Sequence, residues 1–498
     1  MTDATQTPVS LEELSLIAVD RVNRGARFGG LFASAKGDET RLTIVLVSKG
    51  SIETHEAIVA ASTGLYPALS PQVPAAHWYE REIHDLFGLD AVGAAKLDPL
   101  VFPFQTESPR PRPGSGAVLG LVEPDLTPLM ANLRGEGVFT IPYGPVRSGV
   151  FESIEFLVET PGEDIPHLRT RVFYKHRGVE SRFEGLSTDD GALLAERCEG
   201  VASVAHATAY CGAVERLAGA EISPQAGLVR VIHAELERVA NHLDSTIRHT
   251  EAAGQAVAYA RFSLHKERVQ RLRAQLCGSR FSRGVVVPGG VSGPLQLIST
   301  HLLAAIGKIE GTMRSDVKLL MATPSFLDRL RATGVLSPEI ARRFGALGPL
   351  GRGSGQFDDA RLNRPYAAYG RLGHRPQTMR DEGDALARQH VRLEEIWDSF
   401  HLIRQATDEL DELGDPGNGL WRAPIGSPSG KTIGWAEAPQ GEVLYLVEIQ
   451  EGRLVRVKPR SASFHNLALF PAAFPKDVLT DFAFIEASFG ISIAGAAG

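Results

Sequence analysis

Residues 177–206 carry the reading that decides the fold. They begin Arg177-Gly178-Val179-Glu180, run through sixteen residues to Arg197-Cys198-Glu199-Gly200-Val201-Ala202, and reach His206 after three more. Outward from this stretch, apolar residues recur at helical spacing. Leu193, Leu194, Val201, Val204 and Ala205 form one set, and Leu228, Val231, Ile232, Leu236, Val239 and Leu243 another. Further helices are predicted at about 258–276, 300–320 and 384–412. Strands are predicted on both sides of this helical region. Residues 153–159 and 169–176 flank the turn Pro161-Gly162-Glu163-Asp164, and 442–449 and 454–458 flank Glu451-Gly452. Near the start, Leu42-Thr43-Ile44-Val45-Leu46-Val47 has strand composition.

The chain has 498 residues, enough for two or three domains with a sizeable buried core. Apolar residues make up 43% and charged residues 22%, an ordinary globular balance. A net charge of −7 provides no basic footprint for nucleic acid. The opening Met1-Thr2-Asp3-Ala4-Thr5-Gln6 lacks the basic-then-apolar order of an export signal. No apolar run reaches membrane-spanning length, so any membrane association is expected to be peripheral, with no transmembrane segment in the chain itself. Cys198, Cys211 and Cys277 make no CxxC pair. That spacing argues against an iron–sulfur or zinc site within the chain and fits a reducing, cytoplasmic setting.

Residues 1–102 read as a small α+β domain. Residues 103–137 read as a linker, because Pro109, Pro111, Pro113, Gly114 and Gly116 crowd together. Residues 138–498 read as a second, larger domain. In the first domain, Trp78-Tyr79-Glu80-Arg81-Glu82-Ile83-His84-Asp85-Leu86-Phe87-Gly88 reads as an amphipathic helix with solvated charges, closed by Gly88. In the second, His233 and Glu237 lie one helical turn apart but His242 is off their line. A solvated or interface face is expected there rather than a metal site. Tyr210 and Cys211 are expected in the core.

These stretches also carry a resemblance. Residues 177–206 resemble the first ligand motif of nickel–iron hydrogenase large subunits: Arg-Gly-x-Glu, sixteen residues, Arg-x-Cys-Gly-x-Cys, three residues, His. Glu199 and Ala202 stand at its two cysteine positions. Most of residues 138–498 are similar to two related families, the large subunit of membrane-bound energy-converting hydrogenases (formate hydrogenlyase included) and the quinone-site core subunit of complex I. The matching stretches include Gly144-Pro145-Val146-Arg147-Ser148-Gly149, Tyr174-Lys175-His176-Arg177-Gly178-Val179-Glu180 and Ala234-Glu235-Leu236-Glu237-Arg238-Val239-Ala240-Asn241-His242-Leu243. Val287-Pro288-Gly289-Gly290-Val291, Asn363-Arg364-Pro365-Tyr366-Ala367-Ala368-Tyr369 and Glu437-Ala438-Pro439-Gln440-Gly441-Glu442 match as well. Residues 78–88 resemble the Glu-Arg-Glu-x-x-Asp-x-x-Gly signature of the smaller peripheral-arm subunit of complex I, where that segment is mainly structural and interfacial. Such a fusion is how formate hydrogenlyase large subunits are built.

The hydrogenase resemblance implies nickel held by four thiolates, since soft sulfur suits this redox metal. Its second cysteine pair belongs near the C-terminus, where alignment by Ala487-Ser488 puts Ser492 and Gly495. Alanine and glycine offer no donor atom, and serine is a hard, rarely ionised one. Cys198 is one residue out of register, which on a helix turns it about 100° away. Gln440 stands where the family usually places an arginine. No metal ligand and no cofactor bound by this chain are therefore expected. The complex I resemblance implies a quinone head between a histidine after Gly-Pro and a tyrosine in the first motif. Arg147 and Gly200 stand near those places. Arg147 could donate hydrogen bonds to a ligand or serve as a subunit contact. The resemblance also implies a proton-transfer role for Glu180. With Glu199 beside it, two carboxylates would share one pocket and one would be pushed up in pKa. Glu180, Glu199 and His206 are thus candidates for a proton relay, and Arg147, His176 and Arg177 for its cavity wall. The alternative is a buried carboxylate pair satisfied by Arg177 and Arg197 and kept for packing.

The fold expected is α+β, a small N-terminal α+β domain followed by a large, mainly helical domain with peripheral β-structure. The function expected from the resemblance is a core subunit of a membrane-associated, complex I-like or hydrogenase-related oxidoreductase coupling electron transfer to proton or ion translocation, without its own nickel–iron site. Alternatives are a quinone-reducing NADH dehydrogenase-type subunit with a non-standard site, a non-catalytic structural subunit, and a true formate hydrogenlyase hydrogenase. The expected partners are an iron–sulfur small subunit carrying the clusters, with antiporter-like and other membrane-arm subunits. The expected place is the cytoplasmic face of the inner membrane.

Overall fold

The strand predicted at 42–47 becomes β2 (Glu39–Ser48), the middle of an antiparallel sheet between β1 (Arg27–Lys36) and β3 (Ser51–Ala60). A central strand covered on both faces needs a near-continuous apolar run, and Leu42, Ile44, Val45, Leu46 and Val47 are all buried. The computed structural model describes residues 8–37, 39–60, 62–95, 99–102, 137–147, 152–375, 377–417 and 421–498. Apart from Gly137, the expected linker at 103–137 lies outside these residues.

Helix α1 (Leu11–Asn23) packs on this sheet, started by Ser10, whose hydroxyl accepts the Glu13 N–H. Helix α2 (His77–Phe87) follows Pro74 and stops at Gly88, whose φ of +63° favours glycine. The expected solvated charges of α2 are in fact buried. Each carboxylate has donors that offset the loss of water. Glu80 accepts the N–H groups of Leu69 and Ser70, Asp85 those of Leu100 and Val101, and Glu82 an ammonium from Lys458.

A second antiparallel sheet comprises β4 (Phe139–Tyr143), β5 (Glu155–Thr160) and β6 (His167–Arg171). The strand predicted at 169–176 is displaced toward the turn, because residues 173–175 coil into a 3₁₀ turn. Short helix α3 (Val179–Phe183) and α4 (Thr188–Ala195) lead to α5 (Ser203–Ala218). The helical periodicity across 193–205 is therefore interrupted by a turn at 196–202. Glu237 fixes the restart, accepting the Val204 and Ala205 N–H groups at 2.9 and 3.1 Å.

Four long helices make the bundle: α6 (Pro224–Ala252), α7 (Ala256–Cys277), α8 (Ser299–Leu320) and α9 (Ala385–Leu413). Ser223 caps α6 with Pro224 at its first position, and Asp384 caps α9. The third three-stranded sheet is β7 (Gly430–Ala438), β8 (Gly441–Gln450) and β9 (Arg453–Arg460). The small residues Ala205, Ala209 and Ala213 let α5 lie close on it. At Gly434 a Cβ would come 2.0 Å from the Ala209 carbonyl oxygen, so the contact needs glycine. Helices α10 (Ala462–Leu467), α11 (Phe482–Phe489) and α12 (Ile493–Ala497) finish the chain.

The architecture is α+β, with helices and small sheets segregated along the chain. One apolar core joins its two parts. Leu31, Phe32 and Tyr79 pack in the same cluster as Leu444, Phe464 and Leu467, and the Tyr79 and Phe464 rings meet edge-on at 5.1 Å. Each such buried aromatic contributes about 1.5–3 kcal/mol. Polar links reinforce this seam. Tyr79 Oη lies 2.8 Å from His465 Nδ1, and Arg27 pairs with Glu442 at 2.6 Å. The site described next lies along it.

Candidate functional site

The turn at 196–202 presents Glu199 inward, and α5 presents His206 to meet it. His206 Nε2 lies 3.2 Å from Glu199 Oε2, and its Nδ1 lies 2.8 Å from the Tyr445 hydroxyl on β8. Ser463 at the start of α10 donates to Glu199 Oε1 at 2.8 Å. Both members of the Glu199–His206 pair are shut off from solvent. Burial alone pulls the imidazole pKa down. Cys198 and Glu199, both within hydrogen-bonding reach, outweigh that and raise it to about 9. Near neutral pH, His206 is an imidazolium donating from both nitrogens.

Cys198 is not turned away, contrary to the helical expectation. Residues 196–202 form a turn, so the 100° rule does not apply, and Cys198 lines the same small cavity as His206. Its thiol also reaches the Tyr445 hydroxyl, whose pKa is raised chiefly by burial and then by Cys198.

The four positions that the resemblance assigns to nickel ligands carry Glu199, Ala202, Ser492 and Gly495. They converge. The Ser492 N–H donates to Ser463 Oγ at 3.0 Å, the hydroxyl that serves Glu199. A Cβ at Gly495 would lie 2.5 Å from Glu199 Oε2 and 2.7 Å from its Cδ. The Glu199 carboxylate therefore takes up the space a side chain at 495 would need. The Ser492 hydroxyl itself lies 3.1 Å from the Glu152 carboxylate.

Glu180 enters the cavity from α3 but does not touch Glu199. It ion-pairs with both Arg456 and Lys458 of β9. Burial raises its pKa, and Lys458 and Arg456 together outweigh burial and hold it well below the usual carboxylate range. The expected partners Arg177 and Arg197 are engaged elsewhere. Arg177 donates to the carbonyls of Arg197 at 2.9 Å, Cys198 at 2.6 Å and Ala494 at 2.9 Å. It thus clamps the turn that holds Glu199 to the helix that holds Gly495. Arg197 donates to the Leu193 carbonyl. His176 Nδ1 lies 2.8 Å from the Ala497 carbonyl oxygen, supporting the same helix.

Arg147 is not on this cavity wall. Its guanidinium makes a two-pronged pair with Glu486 of α11, at 2.7 and 3.0 Å, and lies over the Tyr143 and Phe156 rings. Gln440 is also absent from the wall. Its carbonyl accepts from the Asn466 side chain at 3.3 Å.

Sequence reasoning missed Glu82, Tyr445, Arg456, Lys458 and Ser463. One signal was available. Arg456, Lys458 and Arg460 alternate along β9 and so share one face, and all three are buried. Three buried cations on one strand face require buried carboxylates opposite.

The face at His233, Glu237 and His242, expected to be solvated or at an interface, is buried within the chain. Helix α6 is packed against α7, α9 and α11, and its polar groups find partners there. His242 meets Glu395 at 2.8 Å and His233 meets Ser282 at 2.9 Å. Around them a second ionic cluster joins Arg238, Arg352 and Arg361 to Glu235, Glu395, Glu437 and Asp359. Within it Glu437 is pushed up to about 7, first by burial and then by the Asp359 charge.

The two fused α+β parts place the chain in the core-subunit class of complex I- and hydrogenase-type oxidoreductases, by the family models and relatives that it matches. Residues 253–419 and 419–496 match the family described as respiratory-chain NADH dehydrogenase, 49 Kd subunit. Residues 13–111 match its 30 Kd subunit. The chain belongs to the family of fused 30 kDa-like and 49 kDa-like subunits. It is 29% identical to formate hydrogenlyase subunit 5 of Escherichia coli, over 82% of this chain and 72% of the relative. It is 31% identical to the membrane-bound hydrogenase subunit alpha of Pyrococcus furiosus, over 68% and 83%. It is 28% identical to an NADH-quinone oxidoreductase subunit of Thermodesulfovibrio yellowstonii, over 69% and 92%. Among the described residues no helix is long and apolar enough to cross a membrane.

Proposed function

We propose that this chain is a peripheral core subunit of a membrane-associated oxidoreductase, that its former metal cavity handles protons, and that it holds no nickel–iron centre of its own. The observation that carries this reading is the placement of Glu199. At a ligand position of the family stands a carboxylate bonded to His206 and Ser463 and packed against Gly495. The donor set does not fit nickel–iron. The four ligand positions offer one carboxylate, one methyl group, one hydroxyl bonded to Glu152 and one glycine, and Cys198 beside them is a single sulfur where four thiolates are needed. No step is therefore assigned to a metal in this cavity.

The groups present suit proton handling. His206 can release a proton to Glu199 without any movement of heavy atoms, because the two are already hydrogen-bonded. Glu180 and Lys458 line the cavity with His206, and Glu199 is buried behind His206, off that wall. Electrons would arrive through iron–sulfur clusters on a small subunit, and antiporter-like membrane-arm subunits would carry the ion, on the cytoplasmic face. The Arg147 guanidinium is held by Glu486 in the described structure, so no ligand-binding role is assigned to it.

The test uses membrane vesicles containing the whole complex, driven by the electron donor that its co-purified partners define, from cells grown with nickel chelated. Electron-coupled proton uptake should persist without nickel and fall at least tenfold in E199Q while the complex still assembles. Activity lost on chelation and restored by added nickel would overturn the proposal.

A further inference from the structure

The Glu-Arg-Glu helix of the N-terminal part supplies a charge to this cavity. Glu82 Oε1 lies 2.7 Å from Lys458 Nζ, and the same ammonium pairs with Glu180. Lys458 thus bridges two carboxylates, one from each part of the chain. All three side chains line the cavity together with His206, Arg177 and Arg460. The charged groups facing Glu82 are Lys458 and Arg456 from β9 and Glu180 from α3, with Tyr79 on its own helix. Arg456 is committed to Glu180, and among the described residues Lys458 is the ion-pair partner of Glu82.

We propose that Glu82, Lys458 and Glu180 form a proton-sharing triad across the junction of the two parts, in which Glu82 is the carboxyl that takes up and releases the proton. The step is a simple exchange. The Lys458 ammonium gives a proton to the Glu82 carboxylate, leaving a neutral amine and a carboxylic acid. The amine then regains a proton from the cavity side, and Glu82 releases its own outward. The proton count is conserved, and no electron moves. Glu180 stays ionised between two cations, while burial, and the Glu180 charge beside it, favour protonation of Glu82 against the pull of Lys458. The same motif that fixes the N-terminal part to the sheet therefore also provides one end of the relay. The role in relay rests on the proton-handling reading above; the triad's titration does not.

Infrared difference spectroscopy of the purified full chain, titrated in pH, reads the triad directly. Beside the protonated carboxyl of Glu437, which both proteins share, the wild-type chain should show a second protonated-carboxyl C=O band, with a midpoint above the ordinary carboxylate range, that is missing from E82Q. E180Q, which keeps Glu82, should lower the midpoint of that band by roughly 1 pH unit, because a neighbouring negative charge is removed. A wild-type-minus-E82Q difference spectrum without such a band, taken on folded protein, would overturn the triad. So would a midpoint unmoved in E180Q, which decides the matter if E82Q fails to fold. Proton translocation by the whole complex is measured alongside. If E82Q loses the band yet translocation is unchanged, the triad stands and the relay role falls.

Discussion

Placing a methyl group at position 495 tests the packing of Glu199 most sharply. In G495A the new Cβ would sit 2.5 Å from Glu199 Oε2, 2.7 Å from Cδ and 3.1 Å from Cγ. Relief requires the carboxylate to move by about 1 Å to reach ordinary contact distance. Its bonds to His206 at 3.2 Å and Ser463 at 2.8 Å cannot both survive that shift. Overpacking costs about 1–3 kcal/mol, and a lost hydrogen bond to a charged group about 1.5–3 kcal/mol. The expected destabilisation is about 2.5–6 kcal/mol. E199A alone leaves the His206 charge buried without its carboxylate, at about 3–5 kcal/mol. In the E199A background the clash is gone, so adding G495A should change stability by no more than about 0.5 kcal/mol. The coupling energy of the cycle, on the order of 2–6 kcal/mol, is the quantity to measure. Urea unfolding of the four purified full-length chains, followed by circular dichroism, provides it. Equal effects of G495A in the two backgrounds would refute the claim that Glu199 fills the space of a 495 side chain.

Three further outcomes follow from the same contacts. His206, raised to about 9 when folded, binds its proton more tightly folded than unfolded. Its stabilisation, on the order of 3 kcal/mol, should be present below pH ~6.5 and lost as pH rises through about 9; pH-dependent urea midpoints of wild type and H206Q should diverge in that window. Glu437, pushed up to about 7, also favours its protonated form when folded. Stability should therefore decline from pH ~4.5 toward 7, and titration of E437Q should show a flatter slope over that range. Arg177→Ala removes three bonds to the carbonyls of residues 197, 198 and 494. It should cost about 2–4 kcal/mol and speed amide hydrogen exchange in 196–202 and 493–497, which mass spectrometry will localise.

The long elements were legible in the sequence because their apolar spacing is strong. Helices predicted at 258–276, 300–320 and 384–412 form at Ala256–Cys277, Ser299–Leu320 and Ala385–Leu413. The break at 196–202 was not legible, since Val201 continues the helical period while the capping of α5 by Glu237 comes from a distant helix. The convergence of Glu199 with His206 and Gly495 could be anticipated only through the resemblance. The partners of Glu180 could not be, because Arg456 and Lys458 reach it by the pairing of β9, some 280 residues away in the chain. The buried charges of α2 and α6 were misjudged for a related reason. Local composition marks a charged face as solvated, and only tertiary donors reverse that reading.

Anomalous X-ray scattering from crystals of the purified complex, measured on both sides of the nickel absorption edge, tests the central claim most directly. The account predicts no nickel peak among residues 199, 202, 492 and 495, with the Glu199 carboxylate bonded to His206. A nickel peak at that place, with Glu199 turned away from His206, would contradict it.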